Sequence, residues 1–359
     1  MFLATLALIC ASVVMVYSAS ALVALERFKQ PYMFVTKQVM WSAFGLALLS
    51  VVMRIDYRTY RNERLIWSLL AAVGVLLAAV LFSREVNGTH RWFAVGGFGI
   101  QPSEPAKLAA IFFTAFILER RLHRINDVRY ALTPIAFITG GLIGLILLEP
   151  DFGTAVSLLA VVGVMIFAAG LSFRYLAGAV LLMVPALAII LIQAPYRVER
   201  MMAFLHPWAD PLGSGFQIIQ SLIAVGTGGV FGKGLMAGVQ KLFYLPEPHT
   251  DFIYAVIAEE TGLIGSLVIL ACFAVIAWRG MRTSMRAPDS FGAFLAVGIT
   301  MMLVLQAFVN ISVVLGMLPT KGIPLPLVSA GGSSLLINLV GVGVLLNISQ
   351  HAATETGAA

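Results

Sequence analysis

The segment Pro248-His249-Thr250-Asp251-Phe252 places a carboxylate where a long polar loop enters an apolar run. A carboxylate, Asp251, thus sits at a membrane surface. Glu259 and Glu260 follow inside the apolar run, and acids at such depth are costly enough to mark function by default. If one helix begins here, Asp251, Ala255 and Glu259 share a face, with Glu259 about 12 Å deeper by helical rise. A surface acid above a buried one would suit a charged headgroup entering from the outer leaflet. The bland reading is that Thr250-Asp251 caps the helix, worth about 1 kcal/mol, and capping is compatible with chemistry.

Other motifs collect on the same side of the chain's apolar runs. His90-Arg91-Trp92 precedes Gln101-Pro102-Ser103-Glu104-Pro105-Ala106-Lys107, which also reads as a helix start with Ser103 as N-cap and Pro105 in the first turn. Lys107 stands three residues after Glu104, near enough to pair with it, and a cation inside an apolar zone is also a candidate contact for a substrate anion. Glu149-Pro150-Asp151-Phe152-Gly153-Thr154 joins two runs by a tight turn, so that Asp151 either caps the next helix or faces a site. Arg197 and Arg200 share a helix face and suit phosphate contacts, or else snorkel to an interface.

The run Gly226-Thr227-Gly228-Gly229-Val230-Phe231-Gly232-Lys233-Gly234 resembles a phosphate loop only superficially. Thr227 stands where a Gly is needed, and Gly234 replaces the Ser or Thr. Between Leu318 and Ser334, Pro319, Pro324 and Pro326 forbid a continuous helix. Irregular backbone at membrane depth is tolerated only in a protein interior or along a cavity, so this segment, with Lys321 and Ser333, is expected to wall the site. Gln306 and Asn310, one turn apart, either face it or hydrogen-bond between helices.

The elements that position these residues are membrane spans. Sixty per cent of the 359 residues are hydrophobic and eleven per cent are charged, with mean hydropathy of +0.96. A water-soluble domain cannot carry such a composition. We count ten apolar runs, near 2–25, 38–53, 65–83, 105–118, 131–148, 152–170, 175–194, 252–278, 290–315 and 333–349, several of them shorter than the roughly 20 residues of an untilted span. The expected fold is an all-α polytopic membrane body, residues 1–359 forming one domain.

Charge sets its orientation. Arg54, Arg58, Arg61, Arg64, Arg120, Arg121, Arg124, Arg129, Arg174, Arg279, Arg282 and Arg286 crowd alternate short connections, making that side cytoplasmic. Both termini then lie inside, and the large loop of about 195–250, between spans seven and eight, lies outside with every motif above. The net charge of +6 follows from these loops and does not indicate nucleic acid. The first run lacks the start and cleavage site of a signal peptide and reads as a retained span. Cys10 and Cys272, both in apolar runs, read as small buried hydrophobes.

Taken together, these segments resemble the SEDS family of bacterial cell-wall glycan polymerases, the group of FtsW, RodA and SpoVE. The likeness runs in order through Arg91-Trp92, Gln101 to Glu104 with Lys107, Pro150 to Thr154, Gln217 with Gln220-Ser221, Gly226 to Gly234, Leu245-Pro246, His249 to Phe252, Glu259-Glu260, and Pro319 to Ser334. Gln240 to Pro246 and Pro319-Thr320-Lys321-Gly322 look more like the division member than the elongation member. Two features depart from the family: Ala330 stands where a Tyr is usual, and the chain begins almost directly in span one.

The resemblance implies an inverting glycosyltransferase that polymerises lipid II, an undecaprenyl-pyrophosphate-linked disaccharide-pentapeptide, on the outer face of the bacterial cytoplasmic membrane, for the division septum or alternatively for elongation. Asp251 matches the family's essential carboxylate, and the resemblance implies that it is the general base for the GlcNAc 4-hydroxyl. Lys107, positioned by Glu104, and Arg197 or Arg200 are the expected pyrophosphate contacts. Arg91, Asp151, His249, Glu259, Lys321 and Ser333 complete the expected substrate set. A divalent cation, Mg2+ or Mn2+, would suit the pyrophosphate, although no ligand set is readable. A class B penicillin-binding protein is the implied partner, with other division proteins and the membrane lipids. A lipid-precursor flippase is the rival from another class.

Overall fold

The computed structural model describes all residues except 84–88, 96–97, 193–194, 243, 321 and 357–359. Its helices are α1 (Phe2–Phe28), α2 (Met33–Val52), α3 (Glu63–Val80), α4 (Ser103–Arg121), α5 (Thr133–Leu148), α6 (Phe152–Ala168), α7 (Phe173–Ile192), α8 (Pro195–Leu205), α9 (Phe216–Gly228), α10 (Ile253–Met285), α11 (Ser290–Val314) and α12 (Gly332–Thr356). Each of the ten apolar runs coincides with one of these helices, while α8 and α9 lie within the large loop. Seven helical stretches among the described residues are long and apolar enough to cross a membrane. The ten-span reading therefore leans further on α4, α6 and α7. Helix α4 holds Glu104, Lys107, Glu119, Arg120 and Arg121 in 19 residues, and α6 is 17 residues long. The protein is a multi-pass helical membrane protein.

A short hairpin departs from the all-α expectation. Strands β1 (Phe93–Val95) and β2 (Phe98–Ile100) pair antiparallel, with Phe93 opposite Ile100. They form the whole sheet content of the described residues.

Helix α11 is central, packing against α4, α6, α9, α10 and α12. Its neighbour α4 is buried from Ser103 to Leu118 apart from a partly exposed Pro105. At the arginine-rich end the helices start on side-chain caps. Asn62 accepts from the Arg64 amide at 3.0 Å to open α3, and Asp289 accepts from the Gly292 amide at 2.7 Å to open α11. The arginines there pair locally, Arg61 with Glu119 and Arg120 with Glu63, both at 3.0 Å. Such exposed pairs contribute little energy, so their density speaks for sidedness and not for stability.

Helix α10 does not run through as the single span expected. Gly262 sits at φ 67°, ψ −161° inside it, outside helical geometry. The glycine-rich run after α9 fills the break: Lys233 N–H donates to Glu259 O and Gly234 N–H to Glu260 O, both at 3.0 Å, while Leu263 N–H donates to Gly229 O at 2.9 Å. Backbone groups freed by the break are thus satisfied within the protein, as a bilayer requires. A Cβ at Gly262 would strike the Gly232 amide, and one at Gly232 the Glu260 carbonyl. Close backbone approach, and not phosphate binding, accounts for these glycines. Gly262→Ala is therefore expected to lower stability by at least about 1–3 kcal/mol from the disfavoured φ alone. Thermal melting in detergent checks this; an unchanged melting temperature would mean that the break is not built as described.

The two cysteines are free, and neither is the buried hydrophobe expected: Cys10 is exposed and Cys272 half-buried. In a membrane helix the outward face meets lipid, so an apolar residue need not turn inward.

Candidate active site

Asp251 lies in the turn just before α10. Phe252 occupies the N-cap position and makes no side-chain cap, so the expectation that Thr250-Asp251 caps the helix is not met. The carboxyl is left for other work. Burial is the main cause that pushes it up to about 7; Glu247 raises it further, with Asp151 a minor contribution, while Arg200 and Arg91 pull it down. An acid near 7 is half ionised at neutral pH, which suits a general base.

The turn is held from behind. Asn310 of α11 donates from Nδ2 to Asp251 O and to Ile323 O, both at 2.8 Å. Ser329 Oγ donates to Thr250 O at 2.6 Å and accepts from Leu325 N–H at 2.8 Å. The segment between α11 and α12 is irregular, and Leu325, Leu327 and Val328 in it are buried. It is thus one wall beside Asp251, as its prolines lead one to expect. A Cβ added at Gly322 would stand 3.2 Å from Asp251 Oδ2, so the chain passes close to the acid there.

Several expected substrate contacts are engaged within the protein. Arg91 donates from Nε to Glu149 O at 2.9 Å and from a terminal nitrogen to Pro150 O at 2.7 Å. It secures the turn between α5 and α6. Asp151 is the N-cap of α6, its Oδ1 accepting from the Thr154 amide at 3.1 Å and its Oδ2 from Thr154 Oγ1 at 2.7 Å and Gln101 Nε2 at 3.0 Å. The capping reading of Asp151 therefore holds. Lys107 and Glu104 pair at 3.0 Å, both buried, and Lys107 also donates to Gln306 Oε1 at 3.0 Å. Glu104 positions Lys107 as expected, but the ammonium faces protein partners. Ser103 is the first helical residue and makes no cap; Pro102 takes the N-cap position.

Glu259 is a clear correction. Fully buried, it accepts from Lys233 Nζ at 2.7 Å and from the amides of Val239 at 2.9 Å and Gln240 at 3.1 Å. Glu260 beside it accepts from Lys241 Nζ at 2.5 Å, Ser18 Oγ at 2.7 Å and the Met236 amide at 2.9 Å. Both acids fasten the loop that fills the break in α10. Spacing from Asp251 could not show this, because the partners come from residues 233–241 and from Ser18 in α1.

The remaining expected residues fall around the site. Arg200 in α8 is exposed and close enough to Asp251 to lower its pKa. Arg197 lies in the same helix, its side chain outside the described residues, as is all of Lys321. The His249 ring packs tilted on Phe34 with centroids 4.7 Å apart, and burial pushes its pKa down. Ser333 Oγ accepts from the Gln101 amide at 3.3 Å. Glu149 is buried, and both its carboxylate oxygens lack a hydrogen-bond partner among the described residues. Burial, then Asp151, pushes it up to about 8 against the pull of Arg91, which keeps it mainly neutral at pH 7. Among the described residues no three His, Cys, Asp or Glu side chains gather as a metal ligand set, so Mg2+ or Mn2+ has no protein cage there.

Sequence reasoning placed Glu149 in the turn between two runs and Ser329 within the expected wall without giving either a role, and left Asn310 either facing that wall or hydrogen-bonding between helices. The signal for Asn310 was present in its i, i+4 spacing with Gln306. For Ser329 and Glu149 the sequence marked only the segment, since the first acts through a backbone contact and the second through its isolation.

Comparison with known proteins gives the family. Residues 1–354 match the family described as "Cell cycle protein", that of FtsW, RodA and SpoVE. The chain belongs to this family. A relative from Geobacter sp. (strain M18) named "Probable peptidoglycan glycosyltransferase FtsW" is 44% identical over 96% of this chain and 94% of its own length. The Stage V sporulation protein E of Bacillus subtilis is 43% identical over 97% of this chain and 95% of its own. Among solved structures, a chain from work on the coordination of polymerization and crosslinking by a peptidoglycan synthase complex superposes with a TM-score of 0.78, at 33% identity over 97% of both chains. The rod shape determining protein RodA of Thermus thermophilus superposes with a TM-score of 0.71, at 30% identity over 97% of this chain and 95% of its own. This FtsW, RodA and SpoVE family member thus shares its helical architecture with solved relatives along nearly its whole length.

Proposed function

We infer that this membrane protein is a peptidoglycan glycosyltransferase that polymerises lipid II, with Asp251 as its base. The observation that carries the residue assignment is a half-buried carboxyl with a pKa of about 7, held at the loop end of α10 within reach of the Arg200 charge. Family membership and relatives named as glycosyltransferases support the reaction class.

In the proposed step Asp251 takes the proton of the GlcNAc 4-hydroxyl as that oxygen attacks the anomeric carbon of MurNAc. The bond from that carbon to pyrophosphate breaks, the electron pair leaves with the pyrophosphate, and the configuration inverts. Arg200, with Arg197 on the same helix face, supplies positive charge for the departing group. Lys107, paired with Glu104 and Gln306, contributes to this role by the field of its charge. The active site faces outward from the cytoplasmic membrane, on the side opposite the arginine-rich connections.

Similarity to a chain from a peptidoglycan synthase complex supports a separate crosslinking partner, for which a class B penicillin-binding protein and other division proteins are proposed. Septal synthesis is favoured because relatives named FtsW exceed 40% identity. A RodA-type role in elongation is the neighbouring alternative. The flippase reading asks for a broken helix with open polar groups, and α10 has the break. Its gap is filled by protein backbone and its acids are paired to lysines, which favours polymerisation.

Purified protein in lipid vesicles, supplied with lipid II and a class B partner, is expected to make glycan polymer. Transport of a labelled lipid precursor across the vesicle without polymer would overturn the reading. The pH dependence follows from the cited shift. A base with a pKa of about 7 must be deprotonated to act, so the rate should fall roughly tenfold per pH unit below 7 and level off above it. A rate limb centred near pH 4 would mean that Asp251 is an ordinary exposed acid.

A further inference from the structure

Three consecutive carbonyls in the turn that carries Asp251 are each taken by a group from α11 or from the irregular segment before α12. His249 O accepts from the Ala330 amide at 2.9 Å. Thr250 O accepts from Ser329 Oγ at 2.6 Å, and Asp251 O from Asn310 Nδ2 at 2.8 Å. Asn310 spends its second hydrogen on Ile323 O at 2.8 Å, beside Gly322, which passes close to the acid. One turn earlier, Gln306 links Lys107 to the same segment by donating to Pro324 O at 3.0 Å.

We propose that Asn310 is a positioning residue for Asp251, tying the acid's turn and the proline-rich segment into one rigid unit that fixes where the carboxyl stands. The proposal rests on the reading of Asp251 as the base. Asn310 is buried and touches the acid only through the main chain, so it acts through Asp251. An asparagine suits this bridging position because its one amide nitrogen carries two hydrogens for two carbonyls, which neither a carboxylate nor a hydroxyl can supply. Irregular backbone within a membrane protein needs such partners. Backbone satisfaction alone, however, would not require that one side chain bridge the two segments flanking the acid.

The groups whose charge reaches Asp251 are Glu247 in its own loop, Asp151 at the start of α6, Arg200 in α8 and Arg91 in the loop before β1. They remain in place when Asn310 is removed. Loosening the turn would admit water to the carboxyl, so the acid limb of the rate should move down from near 7 towards the ordinary carboxylate range.

The test uses full-length protein in lipid vesicles with lipid II and a class B partner, comparing wild type, Asp251→Asn, Asn310→Ala, Ser329→Ala and Ser329→Thr. Melting temperature and lipid II affinity are measured alongside turnover. We expect folded Asn310→Ala to bind lipid II with affinity within about threefold of wild type and to lose about 100-fold in turnover, the scale of a misplacement near 1 Å. Its acid limb should shift to lower pH. Ser329→Ala should follow in the same direction, and Ser329→Thr, which keeps the hydroxyl, should recover most of the rate. Near-normal turnover in Asn310→Ala beside a strongly slowed Asp251→Asn overturns the positioning role alone. An unshifted acid limb with binding and turnover lost in proportion to melting also overturns it, as a purely structural contact. Turnover of folded Asp251→Asn within a few-fold of wild type removes the base, and with it the role of Asn310.

Discussion

Asp251→Asn is expected to fold normally and to polymerise lipid II roughly 10²–10⁴-fold more slowly than wild type. The contact that anchors this residue is through its carbonyl, which accepts from Asn310 and is unchanged by the substitution. The side chain keeps its size, and the carboxyl it replaces is already half neutral at pH 7 because burial pushes it up to about 7. Removing a charge from a half-buried position costs the fold little and relieves some desolvation. The amide has no lone pair able to accept a proton at this pH, so the loss should reach the full contribution of general-base catalysis, roughly 10²–10⁴-fold. Polymer length and rate on a gel, together with a melting curve, check both halves. A folded mutant within a few-fold of wild type would exclude Asp251 as the base.

The second large effect concerns stability. Glu260 and Lys241 pair at 2.5 Å, 0% and 5% exposed by side chain, with Ser18 of α1 bonded to both. Lys241→Met removes one charge and leaves the Glu260 carboxylate buried with only Ser18 and the Met236 amide. Breaking a buried pair in this way typically costs about 3–5 kcal/mol, because the remaining charge is uncompensated. Glu260→Gln should cost a similar amount by stranding Lys241. The double variant Lys241→Met with Glu260→Gln should recover much of the loss, since the net worth of a buried pair is small. Chemical or thermal unfolding in detergent measures all three. Additive losses in the double variant would show that the two side chains do not interact.

How legible the site was depended on whether partners lie near in sequence. Glu104 and Lys107 are three residues apart on one helix, so their pairing could be read directly, and so could the cap that Asp151 provides to Thr154. Glu259 was misread for the opposite reason. Its depth in an apolar run marks it as functional by the general rule, but Lys233 and the amides of Val239 and Gln240 arrive from the preceding loop. Nothing in the local pattern announces that approach. Arg91 suffered likewise, because a guanidinium that suits phosphate also suits two backbone carbonyls.

Composition and hydrophobic run length determined by themselves that this is a multi-pass helical membrane protein, since a bilayer admits few other solutions for such a chain. Charge asymmetry set the expected orientation, and motif order set the family. Only the tertiary structure decided that α10 breaks at Gly262, that its acids are structural, and that Asn310 and Ser329 grip the turn of Asp251. Those outcomes depend on which distant backbone groups are left without partners inside the bundle. That demand exists only after the helices have packed.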